Sequence, residues 1–222
     1  PGGSPITRRA LMDNQTRSLE EFPRQLADLQ GFLHNTLPLD HEFRLVKAGP
    51  RIEQMPPLWV MGLSERGARN AAELGMGFCF GHFINPHHGA AAMKAYRDHF
   101  TPSVSLKKPD TIVCIFAVCA ETEEEAEDIA LSQDSWLLNV GKGKGTFVQS
   151  PNRIRKGSFT IAELEMIQQN RKRTLIGTPN QIKEQLFELK AYYKTDEFMI
   201  ITNIFDFEAK KRSYQLLAKA IL

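Results

Sequence analysis

The chain has 222 residues, 42% of them hydrophobic and 24% charged, and carries a formal net charge of +2. That length can bury one large core or two small ones. The composition argues against disorder, and near-neutral charge argues against a nucleic-acid partner. No run of about 18 apolar residues and no signal peptide is present, so neither a membrane span nor a membrane partner is expected and a cytoplasmic protein is predicted.

The opening stretch PGGSPITRRALMDN reads as a loop leading into a helix, not as a natural start. Over residues 18–33, Leu19, Phe22, Leu26, Leu29 and Leu33 recur at helical spacing, and Pro23 is tolerable only near the first turn. A polar, Pro-containing connection follows over residues 35–57. Residues 58–63 (LWVMGL) are short and apolar, as in a strand buried on both faces. Residues 65–74 predict a helix whose Ala68, Ala71, Ala72 and Gly75 form a close-packing face. A second strand is expected over residues 76–83, a helix over 90–100 and a third strand over 111–120. The helix that follows begins ETEEE, which favours the positive end of the helix dipole. Residues 141–158 are basic, Gly-rich and aperiodic, and predict an exposed excursion that could act as a lid. A helix is expected over 160–170. The next has Thr178 as N-cap and Pro179 at its first position. A fourth strand over 197–204 and a closing helix capped by Asp206 end the chain.

Four strands alternating with helices predict parallel strands with helical crossovers in one α/β domain over residues 1–222. A doubly wound sheet and a run of units from a (β/α)8 barrel both fit. No G-x-G-x-x-G follows a strand, which favours the barrel. Its chemistry would sit where strands end and helices begin. Ser64 stands at one such point. It can be a plain N-cap, or it can cap a helix whose free N–H groups bind a phosphate, with Gly67 and Ala68 keeping the first turn uncrowded.

Other residues carry weaker signals. Cys79, Cys114 and Cys119 lie in or at the end of apolar runs and read as buried reduced thiols, with neither a disulfide framework nor a metal site. His87 and His88 lack a third ligand at metal spacing and read as exposed loop histidines. GKGKG is not a P-loop, because no Lys-Ser/Thr follows. His82 ends a strand and, if alternation holds, points into the cleft; it serves either as a pocket residue or as a structural histidine. Phe83, Asn85, Thr202 and Asn203 are candidates for the pocket at the strand ends, whereas Phe80 is assigned to packing.

From PPLWVMGLSERGARNAAELGMGFCFGHFINP onward, the sequence resembles the bacterial luciferase-like flavin-dependent monooxygenases. YRDHFTPS, GTPNQI and MIITNIFDFEAKKRSYQLLA also fit, so the likeness covers most of the chain through the order and spacing of its motifs. The resemblance implies a (β/α)8 barrel of which this chain supplies strands five to eight. It implies FMN, reduced by a partner flavin reductase, as cofactor, and a monooxygenase acting on a small organic, aldehyde-like substrate. Leu63, Ser64 and Gly67 match the family's phosphate contacts. Bacterial luciferase has a hydroxyl residue where Gly67 stands, which implies the loss of one bond worth about 1 kcal/mol. A phosphate-holding Arg and the usual catalytic His would precede Pro1, so no catalytic residue is assigned and the 222 residues alone are expected to be inactive. A deazaflavin-dependent oxidoreductase and a non-catalytic flavin-binding protein are the alternatives. Half a barrel would leave two strand edges open and expose the interior residues, among them Val60, Phe80, Ile115 and Ile200, so a homo-oligomer is expected.

Overall fold

A computed structural model describes residues 5–11, 19–50, 53, 55–145 and 147–222. The opening PGGS and Thr146 of the expected excursion lie outside the described residues. Helix α1 (Pro5–Leu11) and a 3-10 turn (Leu19–Glu21) precede α2 (Phe22–His34), which takes Pro23 in its first turn. The described part of the connection that follows holds no helix or strand.

The sheet is built from β1 (Trp59–Gly62), β2 (Gly77–Gly81), β3 (Thr111–Cys119), β4 (Thr174–Gly177) and β5 (Glu197–Ile201), and every pairing is parallel. The four strands expected from sequence lie in sequence order, β1-β2-β3-β5, with no antiparallel pair among them. The fifth, β4, was not expected. Its place follows from the register. Residues 112–114 of β3 pair with both β2 and β5, and Phe116 pairs with both Thr174 of β4 and Ile201 of β5. One residue offers two edges, so β2 and β4 share one edge of β3, end to end, with β5 on the other. Arg173, just before β4, accordingly donates to the carbonyl of Ile84, just past β2, at 2.6 Å.

The crossover from β1 to β2 is α3 (Glu65–Glu73), and that from β2 to β3 is α4 (Gly89–His99). Ala68, Ala71 and Ala72 are fully buried in one cluster with Ala92, Met93 and Tyr96, since small residues let the two helices approach closely. Gly75 ends the α3 turn at φ +62, where a Cβ would fall 2.5 Å from Ser103 Cβ. Tyr96 lies under β2, its ring 5.6 Å from that of Phe78, and donates to Met76 O at 2.8 Å. The crossover from β3 to β5 is longer: α5 (Glu123–Gly141), α6 (Pro151–Ile154), α7 (Ile161–Arg171), β4 and α8 (Pro179–Tyr193). Helix α9 (Phe207–Ile221) closes the chain, capped by Asp206 as expected.

Strand parity corrects the expected interior. Val60, Phe80, Val113 and Ile115 are buried in clusters with residues of α3, α4, α8 and α9, and Ile200 packs against the same side. These are the helix-facing residues, not the barrel interior. The opposite face carries Trp59, Cys79, Ile112, Cys114 and Ile201 in one cluster, and Met61 and Met199, register partners of Cys79 and Cys114, stand about half exposed on it. Near the carboxyl end of β3 this face is covered by α5, through Val118 against Ala130 and the ring of Phe116 beside that of Trp136 at 6.1 Å. The three cysteines are buried and free.

Candidate active site at the carboxyl ends of the strands

Parallel strands bring their carboxyl ends to one rim. At the end of β1, Ser64 has extended backbone (φ −144, ψ 161) and caps α3, its Oγ accepting from Gly67 N at 3.4 Å. Ala68 N bonds the Ser64 carbonyl, so the N–H groups of Glu65 and Arg66 remain directed out of the helix start. A Cβ at Gly67 would meet nothing nearer than 3.7 Å. The cradle is therefore open rather than filled by the protein's own side chains, and the Ser64 hydroxyl keeps its proton to donate. These features suit a phosphate group. Leu63 reaches sideways over Gly81, where a Cβ would fall 2.7 Å from Leu63 Cδ2.

The end of β2 divides the expected pocket residues. The Phe83 ring stands on the open side, at 5.3 Å from that of Phe116 and edge-on to it. With Trp136 beyond Phe116, three aromatic rings form a continuous apolar wall under α5. Asn85 Oδ1 accepts from His87 N at 3.0 Å and shapes the turn, while His87 and His88 are exposed. His82 does not point into the cleft. It is 5% exposed, on the helix side, with Nδ1 2.7 Å from Tyr193 Oη. Burial holds its pKa down at about 4 and raises that of Tyr193. Tyr193 also fits against Gly89, where a Cβ would lie 2.3 Å from its ring. His82 is thus the structural histidine, tying the end of β2 to α8.

At the end of β5, Thr202 is buried and donates from Oγ1 to Ala117 O at 2.8 Å. Asn203 N donates to Gln133 Oε1 at 3.3 Å, and Gln133 Nε2 donates to Thr174 Oγ1 at 3.1 Å, so one side chain of α5 ties together β4 and the end of β5. Asn203 Nδ2 and Ser132 Oγ are buried without a partner among the described residues. A buried polar atom without a partner costs free energy.

Phe116, Gln133, Trp136 and Arg173 were not singled out from sequence. Phe116 sits in an apolar run with no alternation to distinguish it. Trp136 and Gln133 belong to a helix that reads as an ordinary crossover until β4 is recognised. Arg173 donates to Ile84 O and, through Nη2, to Asn170 Oδ1, both at 2.6 Å. Among the described residues, no group of His, Cys, Asp and Glu is placed to hold a metal ion, and no helix is long and apolar enough to cross a membrane.

Residues 3–195 match the model of the luciferase-like monooxygenase family. The uncharacterised protein YceB of Bacillus subtilis is 48% identical over the whole chain, which covers 67% of that protein. An N-acetyl-S-alkylcysteine monooxygenase of the same organism is 29% identical over the whole chain and 66% of its own length. Among solved structures, apo-MsnO8 superposes with a TM-score of 0.80 at 25% identity, over 98% of this chain and 64% of that one. The chain spans about two thirds of the length of the relatives it matches.

Proposed function

The chain belongs to the luciferase-like monooxygenase family, and from that premise we propose that it forms the FMN-binding part of an oxidoreductase that uses reduced flavin and O2 to oxidise a small organic substrate. The observation that carries the reading is the start of α3. Ser64 caps it with a hydroxyl proton to spare, and Gly67 leaves the space beside it open. A phosphate there favours a flavin mononucleotide over a flavin without phosphate. The end of β1 lies three strand steps from that of β5, about 14 Å at ~4.8 Å per step, a span that suits the phosphate, the ribityl chain and the ring taken together. Leu63, Ser64 and Gly67 would hold the phosphate end. Asn203, whose amide is unmet, would meet the polar edge of the ring, with Asn85 and Thr202 shaping the rim. When bound, the flavin supplies the oxygen chemistry. The Phe83, Phe116 and Trp136 wall would seat the apolar part of an aldehyde or thioether and keep water out. A flavin reductase is the proposed partner, and a (β/α)8 barrel completed beyond this sheet is the proposed architecture of the working enzyme.

The test is a flavin titration followed by fluorescence. Ser64→Ala is expected to weaken FMN by roughly 1–2 kcal/mol, about five- to thirty-fold, as for one bond to a charged group. Oxygen uptake with FMN, NADH and a flavin reductase then separates an enzyme from a flavin carrier. Equal affinities in wild type and variant would remove the phosphate assignment.

A further inference from the structure

We propose that the open face of the sheet carries a binding site for a soft monovalent metal ion, Cu(I), built from the thiols of Cys79 and Cys114 and flanked by the thioethers of Met61 and Met199. The site lies on the body of the sheet rather than at its rim, and it does not depend on the flavin reading.

Strand register puts sulfur side chains on four neighbouring strands. Met61 of β1 is the register partner of Cys79 of β2, and Cys114 of β3 is that of Met199 of β5. Register partners in a parallel sheet project to the same face, about 4.8 Å apart. The two pairs meet in the middle, because the Cys79 thiol donates a hydrogen bond to the Cys114 sulfur. The thiols are buried and the methionines about half exposed. The row therefore leads from solvent at either edge strand to a pair of thiols between them. Cys119 shows the contrast. It lies on the other face of β3, in an apolar cluster with residues of α8 and α9, and burial raises its pKa.

The donor set selects the ion. A closed Zn(II) site needs four thiolate, imidazole or carboxylate ligands, and among the described residues no third His, Cys, Asp or Glu is placed with the two thiols. Thiolate together with thioether suits Cu(I) instead, and the unbranched methionine side chain adapts to an ion beside it. Electrostatics points the same way. Of the residues in β1, β2, β3 and β5 only Glu197 is charged, and it is an acid that raises the Cys79 pKa further. These strands offer a buried thiolate no Lys or Arg, so a bound metal ion is the cation that can compensate it. The bond from Cys79 lowers the Cys114 pKa, so Cys114 yields its proton first. On binding, two S–H bonds are exchanged for two S–Cu bonds and two protons leave to solvent. No oxidation state changes.

The experiment titrates the purified, fully reduced chain, without oxygen, against Cu(I) held by the coloured chelator bathocuproine disulfonate, and reads the colour lost as the protein takes the ion. Wild type is expected to take one ion per chain. Cys79→Ser and Cys114→Ser should each weaken binding at least about tenfold, and Met61→Leu with Met199→Leu, which keeps the face apolar, about threefold or more. Cys119→Ser should bind as wild type does. Circular dichroism first establishes that each variant folds. The melting temperature gives a second reading, since a bound ion raises it in wild type and in Cys119→Ser. The methionine variant, changed at half-exposed positions, keeps the test decisive even where a serine in the core unfolds the chain. A wild type that leaves Cu(I) with the chelator overturns the proposal. So does uptake that survives in Cys114→Ser, uptake that is lost in folded Cys119→Ser, or unchanged affinity in the methionine variant. Zn(II) bound as tightly as Cu(I) also overturns it, by removing the thioethers from the site.

Discussion

His82 and Gly67 show how single residues set the behaviour of this rim. The His82 imidazole has a pKa near 4 in the fold against 6.5 for the free side chain, because burial disfavours its cation. Between those values the unfolded chain binds a proton that the native state refuses. Stability is therefore full above pH about 6.5 and falls as the pH drops toward 4, by about 3 kcal/mol at most. His82→Gln should lower stability at pH 7, because the bond to Tyr193 is remade poorly, yet flatten the acid limb. Urea unfolding at pH 7, 6, 5 and 4 measures both, and parallel profiles for wild type and variant would count against the assignment. Gly67 makes the opposite kind of prediction. Its Cβ position is in ordinary contact range and its φ lies outside the left-handed region. Gly67→Ser should be accommodated, gain a few tenths of a kcal/mol in helix propensity, and tighten FMN about fivefold by restoring a hydroxyl near the phosphate. Weaker binding in a fluorescence titration would place the phosphate elsewhere. Ser64 as a cap was legible from sequence because Ser before an apolar-periodic run is a local signal. The orientation of His82 was not, because it depends on Tyr193, 111 residues away.

At the scale of elements, the long β3–β5 crossover decides how firmly the rim is built. Helix α5 is covered on several sides: Ser132, Gln133, Asp134 and Ser135 are all buried in succession. Asp134 is 2% exposed, and burial raises its pKa while the Arg171 guanidinium opposes that rise. Arg171→Met leaves this carboxylate buried and unpaired and is expected to cost roughly 3–5 kcal/mol. Asp134→Asn leaves Arg171 partly solvated and still facing Glu127, so it should cost distinctly less. Chemical denaturation of both single variants and the double variant measures the asymmetry, and equal losses would refute it. Local periodicity located α3, α4, α7, α8 and α9 within a residue or two, helped by the caps Ser64, Thr160, Thr178 and Asp206, whereas α5 runs three residues past the expected end, to Gly141, and α2 begins at Phe22, after a 3-10 turn, rather than at residue 18. Strand β4 escaped because it is four residues long, follows a helix almost directly and buries only Leu175 and Gly177. Strand parity escaped for a different reason. Every residue of β2 is buried, and a strand covered on both faces has no polar alternation to show which face is which.

For the whole molecule, the question is what covers the open face. Among the described residues, β1 pairs with β2 alone and β5 with β3 alone, so each presents an unpaired edge. Between these edges Met61 is 51% and Met199 46% exposed, beside the buried Cys79 and Cys114. An apolar sheet face bounded by two open parallel edges favours further strand pairing, whether with additional strands that complete a barrel or with a second copy. The expected barrel interior was wrong in its residues, since Val60, Phe80, Ile115 and Ile200 turned out to face helices. Met61 and Met199 are instead the apolar side chains that meet water on the open face. Residues 1–222 expressed by themselves should therefore associate at tens of micromolar, a concentration at which even about 7 kcal/mol of association free energy suffices. Placing charges on the face, Met61→Lys with Met199→Lys, should shift the distribution toward smaller species without disturbing the helix-facing core, because both side chains point away from it. Sedimentation velocity of the two proteins decides the matter. A wild-type chain that runs as a monomer with the same profile as the double variant would show that this face needs no cover.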